Sequence, residues 1–272
     1  MQLNFACTEC GRCCQNHRVP LSLHEAIAWL GRGGDVHLLC DAIAWPAEPA
    51  PGDAPAQYRR QRSFAAASGA LPVRVGVVLA ASFPGRCPHL QGNNRCGIYA
   101  ERPRVCRIYP ASINPFEPLG TESKACPPEA WDARHPAFVR AGRLVDAATL
   151  PLIDETRRLA VQEMPAKQRL CDALGIRTAA MANEGFAVHK PPRAALLAAL
   201  QQCNDSDGGE RLPVDALTDH WQLLSLRPLT LEILHEVGAQ AQHAHQATDL
   251  AVEYLDLQPA ARDDHQAPHK GP

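Results

Sequence analysis

The sequence predicts a mainly α fold in which an irregular Cys-rich metal-binding region, with a minor β strand or hairpin, packs on a helical C-terminal region. Three observations support this prediction. Eight of the eleven cysteines fall into two groups, at residues 7–14 and 87–126. Turn-forming Pro and Gly residues crowd the segment 83–128, where little regular structure is expected. From about residue 136 onward Ala and Leu become frequent, and prolines stand near the starts of apolar patterns with a helical period.

The chain divides into three predicted parts. Residues 1–128 form a cysteine-cluster metal-binding domain with a Pro- and Ala-rich insertion at about 46–70. Residues 129–257 form a helical region. Residues 258–272 are polar, contain Pro and Gly, and are predicted to be a disordered tail. With 272 residues and 46% hydrophobic content, the chain is long enough to bury a core.

Local patterns predict the elements of the N-terminal part. Ser22-Leu23-His24-Glu25 has the pattern of a capping box and predicts a short helix through Leu30. Residues 36–45 form a second apolar element, and residues 46–57 are predicted to be an extended surface loop. Val-rich residues 72–79 are the best strand candidate.

The C-terminal part shows apolar residues at helical spacing. This periodicity predicts helices at residues 136–148, 151–163, 166–174, 192–202, 214–226 and 229–256.

Composition and charge exclude several classes of partner. The net charge is −2 and aromatic residues make up 5%, so neither a nucleic-acid surface nor a basic membrane-binding surface is expected. There is no apolar run of roughly 18 residues and no signal-peptide pattern, so we expect no membrane span and a cytoplasmic location. In a reducing compartment, eleven cysteines suit metal ligation or redox chemistry better than disulfides.

The cysteines form two groups. The first has the spacing C-x2-C-x2-C-C and consists of Cys7, Cys10, Cys13 and Cys14. The second consists of Cys87, Cys96, Cys106 and Cys126. The eight thiols divide into two sites of four, or one site of four with spare ligands, and the spacing alone leaves both arrangements open.

These thiols are soft ligands that suit zinc or an iron–sulfur cluster. Structural zinc takes four N or S ligands. A [4Fe–4S] cluster takes four thiolates, and in bacterial ferredoxins C-x2-C-x2-C supplies three of them while a distant Cys-Pro supplies the fourth. Cys87-Pro88 and Cys126-Pro127 are two such pairs, so the spacing leans slightly toward iron–sulfur.

Other cysteines and histidines carry weaker signals. Cys40, Cys171 and Cys203 each stand alone among apolar residues and are interpreted as core cysteines. His17 and His89 lie near the cysteine groups and are minor ligand candidates. A single E-x-x-H, from Glu232 to His235, is interpreted as a polar helix face, since a di-iron bundle needs two such motifs.

Three stretches resemble the YkgJ family of cysteine-cluster proteins over roughly residues 3–128. They are the first cysteine group, Cys87-Pro88-His89-Leu90, and the run C-G-I-Y-A-E-R-P-R-V-C-R-I-Y-P that begins at Cys96. The family is regarded as a zinc- or iron-chelating domain. The resemblance implies metal ligation by the cysteines of both groups, and Cys126 looks like a later cysteine that many members carry. Flagellin lysine-N-methylases share a looser version of the pattern.

Three functions remain open at this point. The first is an iron–sulfur protein with redox or modification chemistry. The second is a structural zinc module that presents the helical region to a protein partner. The third is a metal-dependent protein-modifying enzyme distantly similar to flagellin lysine-N-methylase, which would act on a protein substrate.

Overall fold

The predicted mainly α fold is wrong, because a large β-sheet forms the centre of the molecule. The computed structural model describes residues 1–15, 17–205, 220–247 and 252–257. Within them lie a nine-stranded sheet and a three-stranded sheet. The predicted tail at 258–272 lies outside the described residues. The molecule is therefore a mixed α/β protein.

The described residues contain seven α-helices and twelve strands. The helices are α1 (Leu23–Gly31), α2 (Ala54–Gln61), α3 (Arg104–Ile108), α4 (Thr149–Gln162), α5 (Met164–Ala173), α6 (Arg193–Asp205) and α7 (Pro228–Glu236). The strands are β1 (Leu3–Asn4), β2 (Val19–Leu21), β3 (Asp35–Ala44), β4 (Phe64–Ser68), β5 (Leu71–Ser82), β6 (Ala137–Arg140), β7 (Arg143–Leu144), β8 (Thr178–Met181), β9 (Gly185–His189), β10 (Gln222–Ser225), β11 (Ala241–His243) and β12 (Val252–Asp256).

A long antiparallel pair, β3 and β5, is the centre of the large sheet. Its register runs from Asp35 opposite Ser82 to Ala44 opposite Val73. β2 and β4 pair with opposite ends of the other edge of β5. Aliphatic residues dominate both strands, and most are buried, because helices and neighbouring strands cover the sheet.

The C-terminal part extends this sheet. β8 and β9 both pair with β3, and β10 and β11 add in parallel beyond β8. α7 connects the parallel strands β10 and β11, as a crossover helix does. The predicted domain boundary at residue 128 stays a prediction, and the sheet contains strands from both sides of it.

Several predicted helices are strands. Residues 136–148 contain the β6–β7 hairpin, and the described end of 214–226 contains β10. In the described residues of 229–256, α7 is followed by β11, a short 3-10 turn and β12. Buried strands with parallel neighbours read as continuous apolar runs, which periodicity cannot distinguish from short helices. The helices predicted at 151–163, 166–174 and 192–202 are confirmed as α4, α5 and α6.

The helix start and the strand predicted in the N-terminal part are confirmed. In the capping box the Ser22 hydroxyl accepts from the Glu25 N–H at 3.3 Å, and the Glu25 carboxylate accepts from the Ser22 N–H at 2.9 Å. The strand predicted at 72–79 is confirmed within β5, and residues 36–45 form β3. The insertion is more regular than expected, because it contains α2 and β4.

Two cores hold these elements together. The larger lies between the sheet and α1, α5 and α6, and it includes Leu38, Leu170 and Leu200. The smaller surrounds Ile108 and Phe138, next to the short sheet of β1, β6 and β7. The three isolated cysteines are buried in the larger core, as the sequence predicts: Cys40, Cys171 and Cys203. In the described part of the chain, no helix has the length and apolarity needed to cross a membrane.

The β3–β5 pair should carry much of the stability. Leu38 is 0% exposed on β3, opposite Leu79 of β5. Replacing Leu38 with Ala should lower the free energy of unfolding by about 2–5 kcal/mol, because a cavity forms between packed strands. Urea unfolding followed by circular dichroism measures the change. The same substitution at Leu229, which is 66% exposed, should change stability by no more than about 0.5 kcal/mol. Equal effects at both positions would contradict this packing.

Candidate metal centre

The first cysteine group lies on a tight turn that requires glycine. Gly11 has φ 70°, and a 3-10 turn follows from Arg12 to Cys14, closed by the Cys14 N–H donating to the Gly11 carbonyl at 3.1 Å. A Cβ at Gly11 would lie 2.8 Å from the backbone oxygen of Asn94. The glycine therefore allows the loop at residue 94 to approach the turn closely.

Backbone hydrogen bonds bring the second group to this turn. The Cys87 N–H donates to the Cys14 carbonyl at 2.9 Å, and Gln15 forms an isolated antiparallel bridge with Arg86. A second bridge joins Leu90 to Cys96. Two of the cysteines that the sequence predicts as ligands, Cys87 and Cys96, are thus held by main-chain contacts.

Cys106 and Cys126 arrive from other elements. Cys106 lies on α3, whose first N–H, at Arg104, donates to the Glu25 carboxylate of α1 at 2.8 Å. Beside Cys126, the Ala125 N–H donates to the Tyr109 hydroxyl at 2.6 Å. Each cysteine is therefore positioned by a polar contact of a neighbouring residue.

The structure gathers all eight predicted cysteines in one region. Seven of them line a cavity of about 50 Å³: Cys7, Cys10, Cys13, Cys14, Cys96, Cys106 and Cys126. Cys87 lines an adjoining, largely apolar pocket of about 210 Å³, which it shares with Cys13, Cys14, Cys96 and Cys106. Residues far apart in sequence thus meet around two connected spaces.

The thiols interact electrostatically in two sets. The pKa of Cys126 is raised to about 11, chiefly by burial and then by the nearby thiols of Cys13, Cys10 and Cys7 in that order of strength. We call the four residues of this neighbourhood the first set: Cys7, Cys10, Cys13 and Cys126.

A second neighbourhood surrounds Cys106. The pKa of Cys106 is raised to about 12, chiefly by burial and then by the nearby thiols of Cys13, Cys87 and Cys96. Cys14 interacts with Cys87 and Cys106 as well as with Cys13. We call Cys14, Cys87, Cys96 and Cys106 the second set.

The adjacent cysteines connect the two sets. The Cys14 thiol donates a hydrogen bond to the Cys13 sulfur, which lowers the pKa of Cys13 to about 7 and raises that of Cys14. The positive charge of Arg102 also favours the Cys13 thiolate. Cys13 thus ionises before Cys14, and its thiol interacts with members of both sets.

The chemistry of this donor set fits a thiophilic metal. The buried neighbouring thiols resist ionisation, since thiolates crowded together repel one another, and a cation removes that repulsion as it displaces the protons. In the described residues no three Cys, His, Asp or Glu side chains already stand as a metal-ligand group. Coordination would therefore require thiol side chains to turn toward one another.

The histidine candidates lie off the cysteine cavity. His89 and His17 line the adjoining apolar pocket. The His89 ring packs edge-on against Trp29 with centroids 4.7 Å apart, and burial and then the charge of Arg32 lower its pKa. The Glu232–His235 motif lies on an exposed part of α7, where the His235 ring is 2.9 Å from the Ala241 carbonyl. The polar-face interpretation agrees with this position.

Sequence analysis missed Tyr109 as a positioning residue. Its hydroxyl accepts the bond next to Cys126, and its side chain lines the cysteine cavity. The signal was present, because Tyr109 follows Cys106 by three residues in the run that carries the family resemblance. Arg102, which lines both spaces and stacks on Tyr99 at 3.8 Å, belongs to the same run.

The Gly11 turn can be tested through metal content. Gly11→Ala should reduce the bound metal, because the new Cβ would meet Asn94 and the left-handed backbone would cost about 1–2 kcal/mol. Elemental analysis of the purified protein measures the change. Gly92→Ala is the matched control, since a Cβ there meets nothing within 4 Å. Full metal loading of the Gly11 variant would show that the turn does not organise the site.

The coupled thiols predict a stepwise titration in metal-free protein. Ultraviolet thiolate absorbance should show an early ionisation near pH 7 from Cys13, while Cys106 and Cys126 ionise only near pH 11–12. Cys13→Ser should remove the early step. Cys14→Ala should move that step to higher pH, because the donor that stabilises the Cys13 thiolate is removed. An unchanged early step in Cys13→Ser would refute the assignment.

Comparison with known proteins agrees with this geometry. Residues 6–127 match the model of the CxxCxxCC family, described as "Putative zinc- or iron-chelating domain", and the matched range includes all eight cysteines. No curated protein and no solved structure matches the chain. The YkgJ resemblance is consistent with the family match. Over residues 6–127, the chain is therefore similar to the CxxCxxCC family, whose description is that of a zinc- or iron-chelating domain.

Proposed function

We propose that the chain is an iron–sulfur protein whose cluster is bound by the first set of cysteines. The observation that carries this proposal is the position of Cys126. Cys126 belongs to a Cys-Pro pair and lines the same cavity as Cys7, Cys10 and Cys13, whose thiols raise its pKa. A C-x2-C-x2-C run completed by a distant Cys-Pro is the ligand pattern of a [4Fe–4S] cluster in bacterial ferredoxins.

The second set supplies another four thiolates, for which structural zinc is the second candidate. Three of its four cysteines, Cys87, Cys96 and Cys106, lie between residues 83 and 128, where the chain forms only α3 and short 3-10 turns. Such a segment has few buried apolar residues of its own, and four-thiolate zinc can supply the missing stabilisation.

The surroundings suit a centre that carries excess negative charge. Arg102 favours ionised Cys13 and Cys106 electrostatically. Bound iron would supply electron-transfer chemistry, and the protein groups around it would set its potential through charge and burial. A reducing, cytoplasmic setting fits this function, because the ligands must remain thiols until the metal binds.

The metal and its ligand sets can be identified together. The first measurement is elemental analysis with a visible spectrum on protein purified without oxygen. We expect about four iron and four sulfide per chain from the first set, with brown colour. Cys126→Ser and Cys10→Ser should lose the iron and the colour. Cys106→Ser should keep them and should lose only the metal of the second set.

Two results would contradict the proposal. Protein that contains one or two zinc ions and no iron would favour the structural module. Retention of all iron in both Cys10→Ser and Cys126→Ser would show that the first set does not hold the cluster. Cys203→Ala serves as the control, because Cys203 is buried in the main core and should leave metal content unchanged.

A further inference from the structure

A third cavity, of about 270 Å³, has no cysteine in its lining. It is bounded by the start of α1, by β3 and β5, and by α2 through α5. It shares no lining residue with the cysteine cavity. Its volume is near the lower end of small-molecule sites and corresponds to about nine waters. Neither the family description nor the metal proposal assigns it a role.

The charges that line this cavity do not balance. Its cations are Arg59, Arg62, Arg104 and Lys167, and its carboxylates are Glu25, Asp41 and Glu163. Three ion pairs account for six of these groups: Arg59–Asp41 at 2.7 Å, Lys167–Glu163 at 3.4 Å and Arg104–Glu25 at 3.6 Å. Among the described residues, no carboxylate lies within 4 Å of Arg62. The lining therefore has one positive charge in excess.

Arg62 is held in place without a polar partner. Its guanidinium stacks over the Tyr58 ring at 4.4 Å, and its Nη1 is buried and has no hydrogen-bond partner among the described residues. Burial, and then the charge of Arg157, lower its pKa to about 10, so it is still a cation at neutral pH. A partly buried cation that lacks a polar partner carries a desolvation cost, and a bound anion would relieve that cost.

Further donors lie beside Arg62. Arg59 has Nε and Nη2 buried without partners, and Arg104 has Nε in the same state. Gly76 of β5 makes room for the Arg59–Asp41 pair, because a Cβ there would lie 2.4 Å from Asp41 Oδ1. Several of the guanidinium groups that line the cavity thus have a nitrogen without a hydrogen-bond partner among the described residues.

The rest of the lining is apolar. It includes Leu21, Val77, Leu159, Met164 and Phe186. A fitting ligand therefore combines an apolar body with one negative charge. A carboxylate matches the planar fork of an arginine, whereas a phosphate dianion would exceed the single excess charge and would meet the carboxylates already present.

We propose that this cavity binds a small monocarboxylic acid with an apolar body, and that the carboxylate pairs with Arg62. The site is independent of the metal centre, although α3 contributes Arg104 to the cavity and Cys106 to the second set.

The test is calorimetric titration of the full, metal-loaded protein. The probes are 3-phenylpropionate and hexanoate, compared with neutral 3-phenylpropanamide and with phenyl phosphate. We expect one of the two carboxylates to bind at least about ten-fold more tightly than the amide, as expected for a charge-assisted contact. No binding of either carboxylate at millimolar concentration, or tighter binding of phenyl phosphate, would overturn the proposal.

Variants locate the site. Arg62→Gln should weaken carboxylate binding at least about ten-fold and leave amide binding unchanged, because only the charged partner is lost. Arg158→Gln, which removes an exposed arginine from α4, is the control and should bind as the wild type does. Ala160→Phe should abolish binding by filling the cavity while Arg62 remains, so it tests the site even if Arg62→Gln folds poorly. Wild-type affinity in Ala160→Phe would place the ligand elsewhere and overturn the proposal.

Discussion

A single carboxylate, that of Glu25, connects the helical scaffold to the cysteine centre. It accepts from the Ser22 N–H at the start of α1 and from the Arg104 N–H at the start of α3. Two helix N-termini thus share one negative charge, which satisfies otherwise unpaired N–H groups at both. Helix α1 packs in the main core, and α3 contains Cys106. The Glu25 contact therefore fixes the position of Cys106, a candidate ligand, relative to the core.

A second carboxylate strengthens the same junction. Glu163, just before α5, accepts from the Leu23 N–H at 3.0 Å and pairs with buried Lys167. Two carboxylates, Glu25 and Glu163, therefore lie at the start of α1, and both also line the cavity of about 270 Å³. The same short helix, α3, contributes Arg104 to this cavity and Cys106 to the cysteine centre.

Local patterns predicted the features that depend on local chemistry. Ser22 and Glu25 specify a helix start through bonds within four residues, and the Val-rich run at 72–79 specifies a strand. The C-terminal strands were missed because their stability comes from non-local pairing. Leu223 and Leu224 are buried between parallel neighbours, and nothing in the run of residues around them distinguishes a strand from a helix.

The same contrast between local and non-local information applies to the candidate sites. The cysteine spacing predicted which residues would gather, but their division into sets depends on Tyr109 and on loops that meet only in the folded chain. The cavity of about 270 Å³ that contains Arg62 could not be predicted from the sequence. Arg60 and Arg62 stand in the same charged stretch, yet Arg60 pairs with Glu48 near the surface while Arg62 is partly buried over Tyr58. Burial of a charge depends on tertiary packing, which the residue pattern does not report.

The bridge between Gln15 and Arg86 continues the pairing of β2 with β5 beyond the end of the strands. In the strands, Val19 lies opposite Ala81. Gln15 of the bridge precedes Val19 by four residues, and Arg86 follows Ala81 by five residues. The pairing of β2 with β5 at the edge of the sheet therefore fixes the position of the first cysteine group relative to Cys87. A one-residue slip of the short strand β2 would displace the first group as a whole relative to Cys87. The spacing of the thiols is set by strand register as much as by the cysteines themselves.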